Sequence, residues 1–162
     1  MPPENLLNFY LNTPSPSAKY FQHKGKQPLQ YQFDSCSSPI FTALHTLWYR
    51  WDNDQRKYIK IVPDCIGEMF SAISLAHWII EDGYFDNYGR AKTVLLCTES
   101  FTKAECVCLP EVLANFSIKT SLKVRDLPKD TYRIRVSKLS MPLLRELVVP
   151  HMHPDFLYKL GM

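Results

Sequence analysis

Leu75-Ala76-His77-Trp78-Ile79-Ile80-Glu81-Asp82-Gly83 is the stretch that decides the fold of this chain. It ends an apolar-rich run, Met69 to Ile80, with two acids and a glycine. The pattern predicts a long helix from Ile66 or Gly67 to Glu81, closed at Gly83, where left-handed dihedrals favour glycine. Asp82 is poorly placed for stability, because a carboxylate at a helix C-terminus opposes the helix dipole. An apolar helix ending in Asp-Gly can be plain core with a cap, so the flanking sequence must decide. The run is about a dozen residues, too short to span a bilayer, and no membrane partner is expected.

Downstream of Gly83 the pattern changes to strand, strand, helix, strand, strand, helix. Tyr84 to Tyr88 pairs with Thr93 to Cys97 around Gly89, and Phe101 to Phe116 is a helix capped by Ser100 or Thr102. Ile118 to Arg125 pairs with Tyr132 to Ser137, and Met141 to Val148 and Pro154 to Leu160 form closing helices. Upstream, a short helix is expected at Pro3 to Leu11. Two strands, Ala18 to Gln22 and Leu29 to Asp34, flank Lys24-Gly25-Lys26, and a helix begins at Ser37-Ser38-Pro39. A strand pair, a Ser-rich cap and an amphipathic helix thus occur at 18–50 and again at 117–149. The chain reads as the tail of one repeat, residues 1–63, followed by a whole second repeat, residues 64–162.

Charge concentrates in the last hairpin. On Ile118 to Arg125, Lys119, Ser121, Lys123 and Arg125 alternate with Ile118, Thr120, Leu122 and Val124; on the partner strand Arg133 and Arg135 alternate with Tyr132, Ile134 and Val136. Residues 117–135 hold six cations and two acids, a net +4, against +3 for the whole chain. Such a ribbon suits the DNA major groove, where Arg and Lys read guanine. A half-buried antiparallel sheet shows the same alternation simply to stay soluble. Global composition adds little: 162 residues, 46% hydrophobic, only mildly basic. Five cysteines without a CxxC pair argue against a disulfide framework or zinc ribbon and for reduced thiols.

The Leu75–Gly83 segment resembles the nine-residue LAGLIDADG motif. Its flanks are similar to the same family: Ile61-Val62-Pro63 before the helix, Thr98-Glu99-Ser100-Phe101-Thr102 after the second strand, and Ser140-Met141-Pro142 through His153-Pro154 to Leu160 at the end. The resemblance covers about residues 18–162 and is to the two-repeat, mitochondrial, intron-encoded homing endonucleases. It implies an α+β LAGLIDADG fold of order αββαββα per repeat, here a partial first repeat plus a complete second one. It implies metal-dependent, site-specific hydrolysis of double-stranded DNA with Mg²⁺ as cofactor. Asp82 would be the metal-binding acid, with Lys60 and Lys159 as basic residues near the two active centres. Lys119, Ser121, Lys123, Arg125, Arg133 and Arg135 would contact DNA.

In the two-repeat family an earlier motif ends in Gly-Asp-Gly, and none precedes Leu75. The missing acid would come from a second chain or an upstream segment. The alternative is an RNA maturase, or another nucleic-acid-binding protein, acting on a group I intron without cleavage. Both imply an organelle-encoded, mitochondrial protein. Glu81 is expected to be solvated, His77 and Trp78 to pack the helix, and His151 and His153 to belong to a turn rather than a metal pair.

Overall fold

The structure, a computed structural model, describes residues 17–18, 31–32, 37–88 and 91–162. The helix expected at Pro3 to Leu11, the Lys24-Gly25-Lys26 turn and the turn at Gly89 lie outside the described residues. The chain forms two compact units, residues 1–46 and 47–162. In the first, β1 (Ser17–Ala18) pairs antiparallel with β2 (Tyr31–Gln32), as the strand pattern predicts. Helix α1 (Pro39–Trp48) follows, with the Ile40 N–H donating to Ser38 Oγ at 3.4 Å.

The second unit opens with a hairpin of β3 (Tyr49–Asp52) and β4 (Lys57–Lys60). Its first strand is hidden in the sequence because it continues the helical spacing of α1 without a break. Asp52 Oδ1 accepts the backbone N–H groups of Asp54 and Gln55, both at 2.9 Å, and builds the turn. Strand pair, helix and strand pair therefore occur twice among the described residues, at 17–60 and at 83–136.

The single helix expected from Ile66 to Glu81 is two. Helix α2 (Ile66–Met69) stops at Phe70, whose ψ of 134° is extended, and α3 (Ala72–Asp82) starts anew. Ser71 is the cause. Its side chain accepts from Ser74 N while the Ser74 side chain accepts from Ser71 N, a reciprocal cap that competes with helix continuation. Phe70 turns inward, edge-on to Trp78 and Phe116 at centroid distances of 6.1 and 6.0 Å.

Strand β5 (Gly83–Asp86) begins directly where α3 ends, and Gly83 is extended (φ −98°, ψ 158°) rather than left-handed. Glycine is required there for space: a Cβ would lie 2.7 Å from both Cα and O of Ile79. β6 (Thr93–Cys97), α4 (Lys103–Ala114), β7 (Thr120–Asp126) and β8 (Thr131–Val136) follow. The antiparallel sheet has the order β5-β6-β8-β7. Short turns of 3-10 helix flank α5 (Met141–Val148), and Pro154–Leu160 is 3-10 helix rather than the expected α-helix, ending at left-handed Gly161.

One sheet face carries Val94, Leu96, Ile134 and Val136, all fully buried with Leu75, Ile79, Leu113, Leu144 and Leu160 of the covering helices. Two buried threonines tie β6 to β8 beyond their ladder: Thr93 Oγ1 donates to Val136 O at 2.6 Å and Thr98 Oγ1 to Tyr132 O at 2.7 Å. Core burial on one face leaves the opposite face to present the site. Among the described residues no helix is long and apolar enough to cross a membrane, and Cys65, Cys97, Cys106 and Cys108 are unpaired thiols.

Candidate functional site

Asp82 is the last residue of α3, exposed, and held in place by the covalent junction with β5. Among the described residues its carboxylate has no hydrogen-bond or ion-pair partner, so both oxygens remain available. Buried Leu75, Ala76 and Ile79 anchor the other side of the helix. A pocket of about 280 Å³ brings Asp82 together with Lys60, Ser74, Trp78 and Phe101. Lys60 comes from the end of β4, and its Nζ stands 5.4 Å from the centroid of the Phe101 ring.

Lys159 does not line that pocket. Its Nζ donates to the carbonyl oxygen of Ile80, in the last turn of α3. A cation there satisfies a carbonyl left open at the helix end and complements the dipole, offsetting the placement of Asp82. Of the two lysines, only Lys60 shares a cavity with the carboxylate. Among the described residues no three His, Cys, Asp or Glu side chains converge as a metal cage. A lone exposed carboxylate still fits a small hard cation, which keeps most of its waters and takes its remaining ligands from substrate phosphates.

The basic face is built by alternation across four strands. Register places Ser121 opposite Arg135 opposite Leu95, and Lys123 opposite Arg133 opposite Cys97. Lys119, Ser121, Lys123 and Arg125 are exposed. Arg125 sits at an irregularity between Val124 and Asp126, which breaks strict alternation near the hairpin tip. Arg133 and Arg135 are held by acids from the β5–β6 side of the sheet, Glu99 just past the end of β6 and Asp86 at the end of β5. Arg133 engages Glu99 through Nε and Nη2 and donates from Nη1 to the Tyr84 hydroxyl at 2.9 Å; Arg135 Nη2 meets Asp86 Oδ2 at 2.9 Å.

Tyr84, Asp86, Cys97 and Glu99 were not singled out from sequence. Their signal is the phase of β5 and β6 relative to β8, which becomes readable only once β6 is known to pair with β8. Burial alone would raise the Glu99 carboxyl, but hydrogen bonds and charge from Arg133 pull it below the usual glutamate range. Burial likewise works against the Arg133 charge, and Glu99 more than restores it. Burial raises the Cys97 thiol against the effect of Arg133, with Glu99 and Asp82 adding to the rise. Asp82 is thus within electrostatic reach of the Cys97 thiol.

Of the remaining candidates, Glu81 is exposed, as expected. His77, expected to pack, is exposed too, whereas Trp78 does pack against the core. His153 Nδ1 accepts from Asp155 N at 3.3 Å and caps the last 3-10 turn, a structural role.

A family model described as the LAGLIDADG DNA endonuclease family matches residues 4–144. The chain is 30% identical to the intron-encoded endonuclease ai4 of Dictyostelium discoideum over 134 residues, 82% of this chain and 78% of that one. It is 28% identical to the cytochrome b mRNA maturase bI2 of Saccharomyces cerevisiae over 94% of its own length, but only 36% of the maturase. It is 23% identical to the DNA endonuclease I-ChuI of Chlamydomonas applanata, over 91% of this chain and 69% of that one. In fold it is similar to the homing endonuclease I-WcaI bound to its DNA recognition sequence. That match has a TM-score of 0.72 at 23% identity, covering 97% of this chain and 69% of that one.

Proposed function

This chain belongs to the LAGLIDADG DNA endonuclease family, and on that footing we propose that it is an intron-encoded, site-specific DNA endonuclease or a subunit of one. The observation that carries the proposal is Asp82: an exposed carboxylate without a partner among the described residues, sharing a pocket with Lys60 at the margin of a basic sheet face. Asp82 would hold the divalent cation, Mg²⁺ by the hardness of its oxygen donor. When bound, such a cation supplies charge neutralisation at the phosphate and a more acidic water. Lys60 would orient that water and offset developing negative charge. Lys159 would act at one remove, fixing the end of α3 through Ile80 O. Lys119, Ser121, Lys123 and Arg125 would contact the duplex directly, with Arg133 and Arg135 behind them.

Residues 1–63 are proposed as the C-terminal part of a first repeat and residues 64–162 as a complete second repeat. Cleavage of both strands calls for a second carboxylate, supplied by a further motif-bearing segment upstream in the same frame or on another chain. The intron-encoded relatives support a mitochondrial gene. A maturase reading is favoured by one observation, the match to a cytochrome b mRNA maturase across nearly the whole of this chain. The same basic face would then meet group I intron RNA.

The test is cleavage of the intron-free junction of the host gene with Mg²⁺, alone and with an added motif-bearing fragment. Cutting is expected, and EDTA or Asp82→Asn should abolish it. Equal cutting by the Asn variant, or no cutting under any condition, sinks the nuclease reading. Splicing assistance that survives Asp82→Asn establishes the maturase instead.

A further inference from the structure

We propose that Glu99, and in the same manner Asp86, are positioning residues for sequence discrimination: they lock Arg133 and Arg135 in the orientation that reads base edges. This rests on the DNA reading given above and deepens it. A basic face meant only to attract phosphate gains nothing from acids among its cations. Here each arginine of the central strand is matched to an acid from the β5–β6 side of the sheet.

The geometry at Arg133 is specific. A guanidinium has five N–H donors in a rigid plane. Nε and Nη2 are committed to Glu99 and Nη1 to the Tyr84 hydroxyl, while the guanidinium carbon stands 5.4 Å from the Tyr84 ring centroid. One hydrogen remains uncommitted on each Nη, a pair of donors. That pair matches the O6 and N7 acceptors of guanine in the major groove. The side chain is one-fifth exposed and already ordered, so little rotamer freedom is left to lose on binding. Cross-strand Lys123 stands exposed beside it and can meet phosphate. Arg135 is held through Nη2 by Asp86, and its Nε is buried without a hydrogen-bond partner among the described residues.

Two effects should separate when the acids are neutralised. Removing a negative charge from a DNA-facing surface leaves general affinity unchanged or improved. Releasing the guanidinium removes its fixed direction and flattens base preference. A purely structural ion pair predicts the opposite combination, a loss of affinity for all sequences alike.

The test is selection from a duplex pool with a randomised core, using the full 162-residue chain in EDTA, followed by sequencing of the bound fraction. The wild type should enrich guanine at discrete positions, and Arg133→Lys should flatten one of them. Glu99→Gln should flatten that same position by roughly tenfold, with binding to mixed-sequence duplex equal or tighter. Tyr84→Phe, which removes only the hydroxyl, should flatten it less and covers the case in which the Glu99 variant does not fold. Asp86→Asn should act at the position governed by Arg135. Preferences as sharp as the wild type's in Glu99→Gln and Tyr84→Phe overturn this proposal alone, as does a uniform loss of affinity. A wild type that enriches nothing overturns it together with the DNA reading.

Discussion

At Gly83 a helix ends and a strand begins within one residue. A methyl group there would meet the backbone of Ile79, which cannot swing aside as a flexible side chain could. Gly83→Ala should therefore destabilise the fold by roughly 2 kcal/mol through forced backbone displacement. Thermal unfolding should show a Tm several degrees below the wild type's; an unchanged Tm would contradict the close approach. The sequence pointed to this residue for the wrong reason. A terminal glycine suggests a left-handed cap, whereas the contact with Ile79 depends on how tightly the chain folds back, which no local pattern encodes. Asp82 stood out as a candidate because it matches the acid of the motif and because its position opposes the dipole. Lys159 was legible only as a family position, since its bond to Ile80 O joins residues far apart in the chain.

At the scale of the element, α4 owes its start to Thr102 and Glu105. The Thr102 hydroxyl accepts from Glu105 N, and the Glu105 carboxylate accepts from the Thr102 N–H and hydroxyl. Its other oxygen takes the Val62 N–H at 3.0 Å, tying the helix to the segment after β4. Burial pushes this carboxyl up, but the Thr102 and Val62 hydrogen bonds hold it below the ordinary value of 4.5. A lowered folded pKa contributes stability that is complete above the unfolded value and lost as pH falls through the folded one. Glu105→Gln should thus destabilise by about 1 kcal/mol at about pH 7, and the gap to wild type should shrink at an acidic pH below 4.5. Denaturant melts at the two pH values check this; a gap independent of pH would show that charge plays no part. The Thr102 cap was readable because capping residues act within a turn. The break at Phe70 was not, because Ser71-Ala72-Ile73-Ser74 satisfies helical spacing while its hydroxyls stop the preceding helix. Strand β3 was lost for a similar reason: short and contiguous with α1, it presents too few residues for a period of two to emerge.

Over the whole molecule, one sheet face is core and the other is charged. The division follows from strand alternation, so it was legible in β7 and β8 individually. The order β5-β6-β8-β7 was not, because pairing β6 with β8 joins residues separated by α4 and β7. The acids on the charged face therefore became visible only with the fold. They also divide the cations by role. Lys119, Lys123 and Arg125 are exposed and form no ion pair among the described residues, whereas Arg133 and Arg135 are neutralised locally. Electrostatic attraction to a duplex should come mainly from the first group. Lys123→Ala should lower the slope of log affinity against log salt by about one, uniformly across sequences. Fluorescence titrations over a range of salt concentrations measure this; an unchanged slope would place Lys123 off the duplex.

The absence of any spacer between Asp82 and β5 gives the molecule a built-in ruler. A hinge or loop at that point would let the carboxylate wander relative to the strands. With Gly83 itself the first residue of β5, and wedged against Ile79, the sheet face proposed to recognise a sequence and the atom proposed to act on the backbone share one rigid frame. Re-engineered strands that select a new sequence should then carry the cut along with it at a constant offset, counted in base pairs from the recognised bases.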